Sequence, residues 1–157
     1  MESFEFNDGQ FSLRRAVEAD LPALVALLAD DVLGAQREAA DLDPYRAAFH
    51  DIDRDPNQLL VTVRDREDTL VGTLQLTLIP GLSRAGAKRL QIEGVRLASG
   101  HRGSGLGTAL FEWVHAFGRR HGAVLAQLTS DKTRTDALRF YAALGYEASH
   151  EGFKRVL

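Results

Sequence analysis

The spacing of apolar positions separates helix-like from strand-like segments along this chain. Phe11-Ser12-Leu13-Arg14-Arg15-Ala16 alternates weakly and predicts a strand. After Asp20, a good helix cap, Leu21, Leu24, Val25 and Leu28 recur at helical spacing. A second helical region is expected within residues 34–52, started, kinked or divided by Pro44, since proline does not continue a helix interior. Leu59, Val61 and Val63 alternate with polar neighbours, and so do Leu70, Leu74, Leu76 and Leu78. Arg64-Asp65-Arg66-Glu67-Asp68 between them reads as the turn of an antiparallel hairpin.

The next strand changes parity, from Leu90 and Ile92 to Val95 and Leu97. A strand keeps one face on the core only while its period stays two, so one extra residue near Glu93-Gly94 returns both pairs to the same side. A β-bulge is expected there, and bulges leave neighbouring backbone groups open to a ligand. Gly103-Ser104-Gly105-Leu106-Gly107 then feeds a helix carrying Leu106, Leu110, Trp113 and Phe117 on one side. Val124 to Leu128 forms another strand. Thr133-Arg134-Thr135-Asp136 fits a capping box before Ala137, Phe140, Tyr141 and Leu144, and Gly145 is a natural stop. The tail, residues 146–157, is expected to add a final strand or hairpin at the sheet edge. The order βαα, ββ, βα, βα, β describes a mixed α/β layer fold.

Composition narrows the field of functions. At 157 residues, with 45% hydrophobic and 26% charged positions, the chain suits one soluble domain spanning 1–157. The 19 basic side chains against 22 acidic ones give no electrostatic drive toward nucleic acid or an anionic membrane. The absence of cysteine excludes disulfides, thiolate metal sites and an acyl-enzyme on sulfur. The first residues carry neither a basic nor an apolar secretion segment, and a cytoplasmic protein is the simplest expectation. His101, His115, His121 and His150 show no metal-ligand spacing, so no metal is expected.

The glycine loop carries the chemistry. Successive amides of a glycine turn, continued by the unpaired amides of a helix start, make a concavity suited to phosphate or pyrophosphate, and Arg102 adds positive charge. The P-loop pattern fails because no Gly-Lys-Ser/Thr follows. The dinucleotide fingerprint fails because the spacing is G-x-G-x-G. Gln91-Ile92-Glu93-Gly94-Val95-Arg96-Leu97, followed by Arg102-Gly103-Ser104-Gly105-Leu106-Gly107, resembles the acetyl-CoA site of the GNAT N-acetyltransferase family, whose signature is Q/R-x-x-G-x-G/A. Ala137-Leu138-Arg139-Phe140-Tyr141-Ala142-Ala143-Leu144-Gly145-Tyr146 resembles the family's second motif.

The resemblance implies a central mixed, mostly antiparallel twisted sheet flanked by helices, with a bulged and splayed central strand. It implies that amides of Arg102, Gly103, Ser104, Gly105, Leu106, Gly107 and Thr108 hold the CoA pyrophosphate, while Val95 and Leu97 present backbone groups to pantetheine. The thioester would then lie near Glu93, the candidate general base, and Tyr141 would sit near the sulfur as candidate general acid. With no cysteine, direct attack of an amine on bound acetyl-CoA is expected. The glycine loop reads the phosphates of the cofactor and does not choose acetyl over propionyl. A non-catalytic, acyl-CoA-binding regulatory module of the same fold is the alternative.

Residues 30–55 hold eight acids, Asp30, Asp31, Glu38, Asp41, Asp43, Asp51, Asp53 and Asp55, against Arg37, Arg46 and Arg54. In the resembled family this connection helps wall the acceptor pocket, where acids would favour a cationic amine; a solvated helical face explains the same run. Small-molecule amines and peptide lysines both remain open as acceptors, and His150 is a candidate for lining their site. A homodimer through an edge strand formed by the tail is compatible with the pattern.

Overall fold

The computed structural model describes residues 4–6 as backbone and 10–30, 38, 39 and 41–157 in full. The chain runs β1 (Phe4–Phe6), β2 (Phe11–Arg15), α1 (Leu21–Ala29), α2 (Asp43–Arg54), β3 (Gln58–Asp65), β4 (Leu70–Ile79), β5 (Lys88–Leu97), α3 (Leu106–Arg120), β6 (Ala123–Leu128) and α4 (Thr135–Ala143). The strands lie in the order β1-β2-β3-β4-β5-β6, with antiparallel neighbours from β1 to β5. This is the mixed, mostly antiparallel sheet flanked by helices that the resemblance implies. Residues 1–127 and 128–157 form two compact units. No helix among the described residues is long and apolar enough to cross a membrane.

The alternation read along β3, β4 and β5 sorts the first unit into two faces. Val61, Val63, Leu74, Leu76, Leu78, Leu90 and Ile92 are buried on one, and Leu106, Leu110, Phe111 and Val114 of α3 are buried as well. Fully burying side chains of this size stabilises a fold by about 1.5–3 kcal/mol each. On the α1 and α2 side, Ala16, Leu21, Leu24 and Phe49 form a second cluster, closed by Tyr45, Leu60 and Leu70. Leu27 completes the buried stripe of α1, where the spacing pointed instead to Val25 and Leu28.

The structure confirms the bulge in β5. Gln75 faces Glu93 and Thr73 faces Arg96, so Gly94 and Val95 together oppose Leu74. Gly94 has φ of +60°, the left-handed conformation that places glycine first in such a bulge. The extra residue returns Leu97 to the side of Ile92. There it packs over Gly72, whose missing Cβ would stand 2.8 Å from Leu97 Cδ2 and 3.0 Å from Val63 Cβ. Gly72→Ala is therefore expected to overpack this contact and lower stability by about 1–3 kcal/mol, measurable by chemical denaturation; a neutral result would show that Leu97 is free to move aside.

Several local expectations are corrected. Asp20 precedes α1 but makes no side-chain cap bond to it. Its carboxylate instead accepts from the Val17 N–H at 2.9 Å and pairs with the Arg64 guanidinium, tying the start of α1 to the end of β3. Pro44 sits in the first turn of α2, where its missing N–H costs nothing. The expected helix of 34–52 begins at Asp43, and residues 34–37 and 40 lie outside the described residues. Arg134, not Thr133, stands at the cap of α4 and without a side-chain cap bond. Thr133 donates to Asp131 Oδ1 from both its N–H and its hydroxyl, which competes with the capping box. The tail after Gly145 forms no strand, so the expected terminal strand or hairpin is absent from residues 146–157.

Candidate active site

Glu93 lies on the exposed face of β5, immediately before the bulge. The strand ends at Leu97, and a single 3-10 turn over Ser99–His101 leads into the glycine loop. Gly103 and Gly105 have φ of +76° and +83°, values that a side-chain-bearing residue adopts only at a cost. A Cβ at either position would meet open space, so these glycines are required by conformation and leave room in front of the loop. Gly105 caps α3 directly. The Ser104 hydroxyl donates to His101 O at 2.8 Å and accepts from the Leu106 N–H at 3.5 Å, fixing the turn. The first-turn amides of α3 have no partner within their own helix and carry its positive dipole end.

Arg102 is placed differently from a phosphate ligand. Its N–H bonds Ser99 O, and its guanidinium reaches Leu97 O at 3.1 Å and Asp30 O at 3.4 Å. The side chain links the end of β5 to the end of α1. That leaves the amides of Gly103, Ser104, Gly105, Gly107 and Thr108 as donors to an anion, with the Leu106 N–H on the Ser104 hydroxyl at 3.5 Å. The carbonyls of Val95 and Leu97 accept from arginine side chains, Arg96 at 2.8 Å and Arg102 at 3.1 Å, and a carbonyl oxygen has a second lone pair beyond such a bond.

Tyr141 belongs to the second unit, on α4. The helix ends in a Schellman motif: Gly145, at φ +87°, donates to Ala142 O, and the Tyr146 N–H reaches Tyr141 O at 3.1 Å. The same closure brings the Tyr141 and Tyr146 rings to 6.1 Å, edge to face. Burial, with Tyr141 nearby, pushes the Tyr146 hydroxyl up to about 12. Hydrogen bonding to Glu38 raises the Tyr45 hydroxyl as well. An absorbance titration should therefore show a tyrosine step near pH 12 that Tyr146→Phe removes. Because the folded value lies above the unfolded one, stability of this unit is expected to hold below about pH 10 and fall as pH rises through 12. A step that survives the substitution would reassign it.

Three histidines pack against aromatic rings, while His150 is exposed in the tail with its Nδ1 2.8 Å from Ser149 Oγ. His101 stands edge-on to Phe11, His115 to Phe111, and His121 stacks on Phe117 at 4.1 Å. Burial, aided by Arg119, lowers the His115 pKa. The acidic run is largely occupied as well. Asp43 pairs with Arg46, Asp51 with Arg54 and Asp53 with Arg15, while Asp41 and Asp55 accept backbone amides. Glu38 accepts from the Tyr45 hydroxyl. Asp31 and Arg37 lie outside the described residues. One group of functional interest was not evident from spacing: a row of carboxamides beside Glu93. The signal for it is Gln75 and Thr77, which fill the polar positions between Leu74, Leu76 and Leu78.

Comparison with known proteins identifies the fold and the family. A crystal structure of a transcriptional regulator from Bacillus halodurans C-125 superposes with a TM-score of 0.87 at 44% identity, covering 94% of this chain and 99% of that one. A Trypanosoma brucei acetyltransferase gives 0.76 at 27%, covering 94% and 99%. The aminoalkylphosphonate N-acetyltransferase of Salmonella typhimurium is 29% identical over 146 residues, 92% of this chain and 90% of the relative. The acetyltransferase (GNAT) family profile matches residues 22–146, a span that includes the bulge, the glycine loop and α4, and the chain belongs to that family.

Proposed function

We propose that this protein moves an acetyl group from acetyl-CoA to a primary amine by direct attack on the thioester, with Glu93 as general base and Tyr141 as general acid. Family membership supports acetyl transfer, and the Salmonella relative, named for N-acetylation, favours an amine as acceptor. The observation that carries the reading is the continuity of one strand, loop and helix: a bulge beside Glu93 leads into a turn whose left-handed glycines leave open space before the α3 amides. That space and those donors fit a diphosphate, held by the amides from Gly103 to Thr108, with Val95 and Leu97 offering carbonyl lone pairs to an amide-bearing arm.

Bound acetyl-CoA supplies the acetyl group in activated form; the remaining work falls to the chain. A lysine-like ammonium, with a pKa of about 10.4, costs roughly 4.6 kcal/mol to deprotonate at pH 7, and Glu93 receives that proton directly or through water. Once Glu93 has passed that proton to solvent, the neutral amine attacks. As the C–N bond forms and the C–S bond breaks, the nitrogen gives up its second proton to Glu93 or water, the Tyr141 hydroxyl gives a proton to the departing sulfur, and solvent exchange restores both groups. Tyr141→Phe is expected to lower turnover roughly 100-fold, at the low end for acid catalysis because a thiolate of pKa about 8.5 already leaves well. Calorimetry should show acetyl-CoA affinity nearly intact. Unchanged turnover at saturating substrates would remove Tyr141 from the mechanism.

A second reading, a non-catalytic acyl-CoA-binding regulatory module, is favoured by the 44% identical protein described as a transcriptional regulator. Amine-dependent release of CoA separates the two: binding without release on any amine supports the module.

A further inference from the structure

The face of the sheet that bears Glu93 carries a row of uncharged hydrogen-bonding side chains on four successive strands. Gln58 of β3 stands opposite Thr77 of β4, and Thr77 stands opposite Gln91 of β5. Gln75 stands opposite Glu93 itself. The Gln75 Nε2 donates to Gln58 Oε1 at 2.6 Å, and the Gln127 Nε2 of β6 donates to Gln91 Oε1 at 2.6 Å. Each pairing orients a carboxamide and leaves part of it unused. No protein donor to Gln75 Oε1 or Gln127 Oε1 is found among the described residues, and each of those Nε2 groups has a second proton. These glutamines are only partly buried, so the unused groups remain within reach of a ligand. On an ordinary solvent-facing sheet surface, charged side chains would be expected at such positions; here Glu93 is flanked along its strand and across it by Gln91 and Gln75.

Building on the acetyl-transfer reading above, we propose that this row is the floor of the acceptor site and selects an amine with a neutral, hydroxyl- or amide-bearing body. Glu93 holds the reacting nitrogen. Gln75 and Gln91, one cross-strand step and one two-residue step away, hydrogen-bond the body of the acceptor, since cross-strand partners stand about 5 Å apart and i, i+2 neighbours share a face. Carboxamides both donate and accept, which matches hydroxyl and amide groups, and they supply no countercharge of their own for a second ammonium or a phosphonate; Arg96, opposite Thr73 on this face, has its Nη1 on the Val95 carbonyl at 2.8 Å. Once an acceptor covers it, a polar floor also discriminates, because an acceptor lacking the matching group leaves these amides shielded from water and unpaired.

The test uses the full chain with acetyl-CoA and four probe amines: glucosamine, 2-aminoethylphosphonate, spermidine and propylamine. Glucosamine should give the highest kcat/KM. Gln75→Leu and Gln91→Leu should each raise its KM about ten-fold, the loss expected for one or two hydrogen bonds, with kcat and the KM of acetyl-CoA unchanged. Neither variant should alter the KM of propylamine. Gln75→Glu, which keeps the side chain's size if the leucine variant misfolds, should shift preference toward spermidine. In a selectively labelled sample, glucosamine should move the side-chain amide resonances of Gln75 and Gln91. Preference of the wild type for spermidine or the phosphonate, or unshifted KM values in the variants, overturns the glutamine floor while leaving acetyl transfer standing. Release of CoA with none of the amines overturns both.

Discussion

Glu93→Gln is expected to lower kcat/KM for an amine about 1,000-fold at pH 7, within the range that a positioned general base supplies. The substitution keeps the side chain's shape on the exposed face of β5 and the register opposite Gln75, so folding and acetyl-CoA affinity should persist. The distinguishing readout is pH. Without the carboxylate, only the amine already deprotonated in solution reacts, so the rate of the variant should climb about ten-fold per pH unit toward the pKa of the amine, near 10.4 for a lysine-like group. The wild type should level off earlier, and the two profiles should converge in alkali. Parallel profiles would mean that Glu93 holds the acceptor and takes no proton.

Gly105→Val tests the other half of the site. At φ +83° a β-branched residue is strained, and its side chain would enter the open space before the α3 amides. Two charge-assisted hydrogen bonds lost to a diphosphate are worth about 3 kcal/mol, so acetyl-CoA should bind at least 100-fold more weakly by calorimetry. Gly105→Asn, which tolerates the left-handed conformation better, should fall between the two. Equal affinity in all three proteins would show that the loop does not cradle the cofactor.

Much of this architecture is legible in the sequence because period-two and helical spacing are local signals. The bulge is the clearest example: the parity change between Ile92 and Val95 needs no tertiary information. The glycine turn is legible for the same reason, since left-handed φ values at Gly103 and Gly105 narrow the choice of residue. What escapes a reading of spacing depends on partners distant in sequence. Arg102 reads as a cation beside a phosphate loop, yet its guanidinium finds the carbonyls of Leu97 and Asp30. Asp20 reads as a cap, yet Arg64 claims its carboxylate from 44 residues away. Short β1, Phe4–Phe6, exists through pairing with β2 and has too few residues to show a period. The glutamine row appears only when registers on β3, β4, β5 and β6 are superimposed, because each strand contributes one or two members.

The two-against-one opposition of Gly94 and Val95 to Leu74 has a bearing on which length changes this gene tolerates. Loss of the single codon for Gly94 would leave Val95 alone opposite Leu74 and straighten β5 with Arg96 still opposite Thr73 and Leu97 still over Gly72, whereas loss of a codon from the regular stretch Lys88–Glu93 would carry side chains to the wrong face. Evolution is free to lengthen the surface connection between β4 and β5. Within β5, the bulge is the place where one residue can be lost without turning its neighbours over.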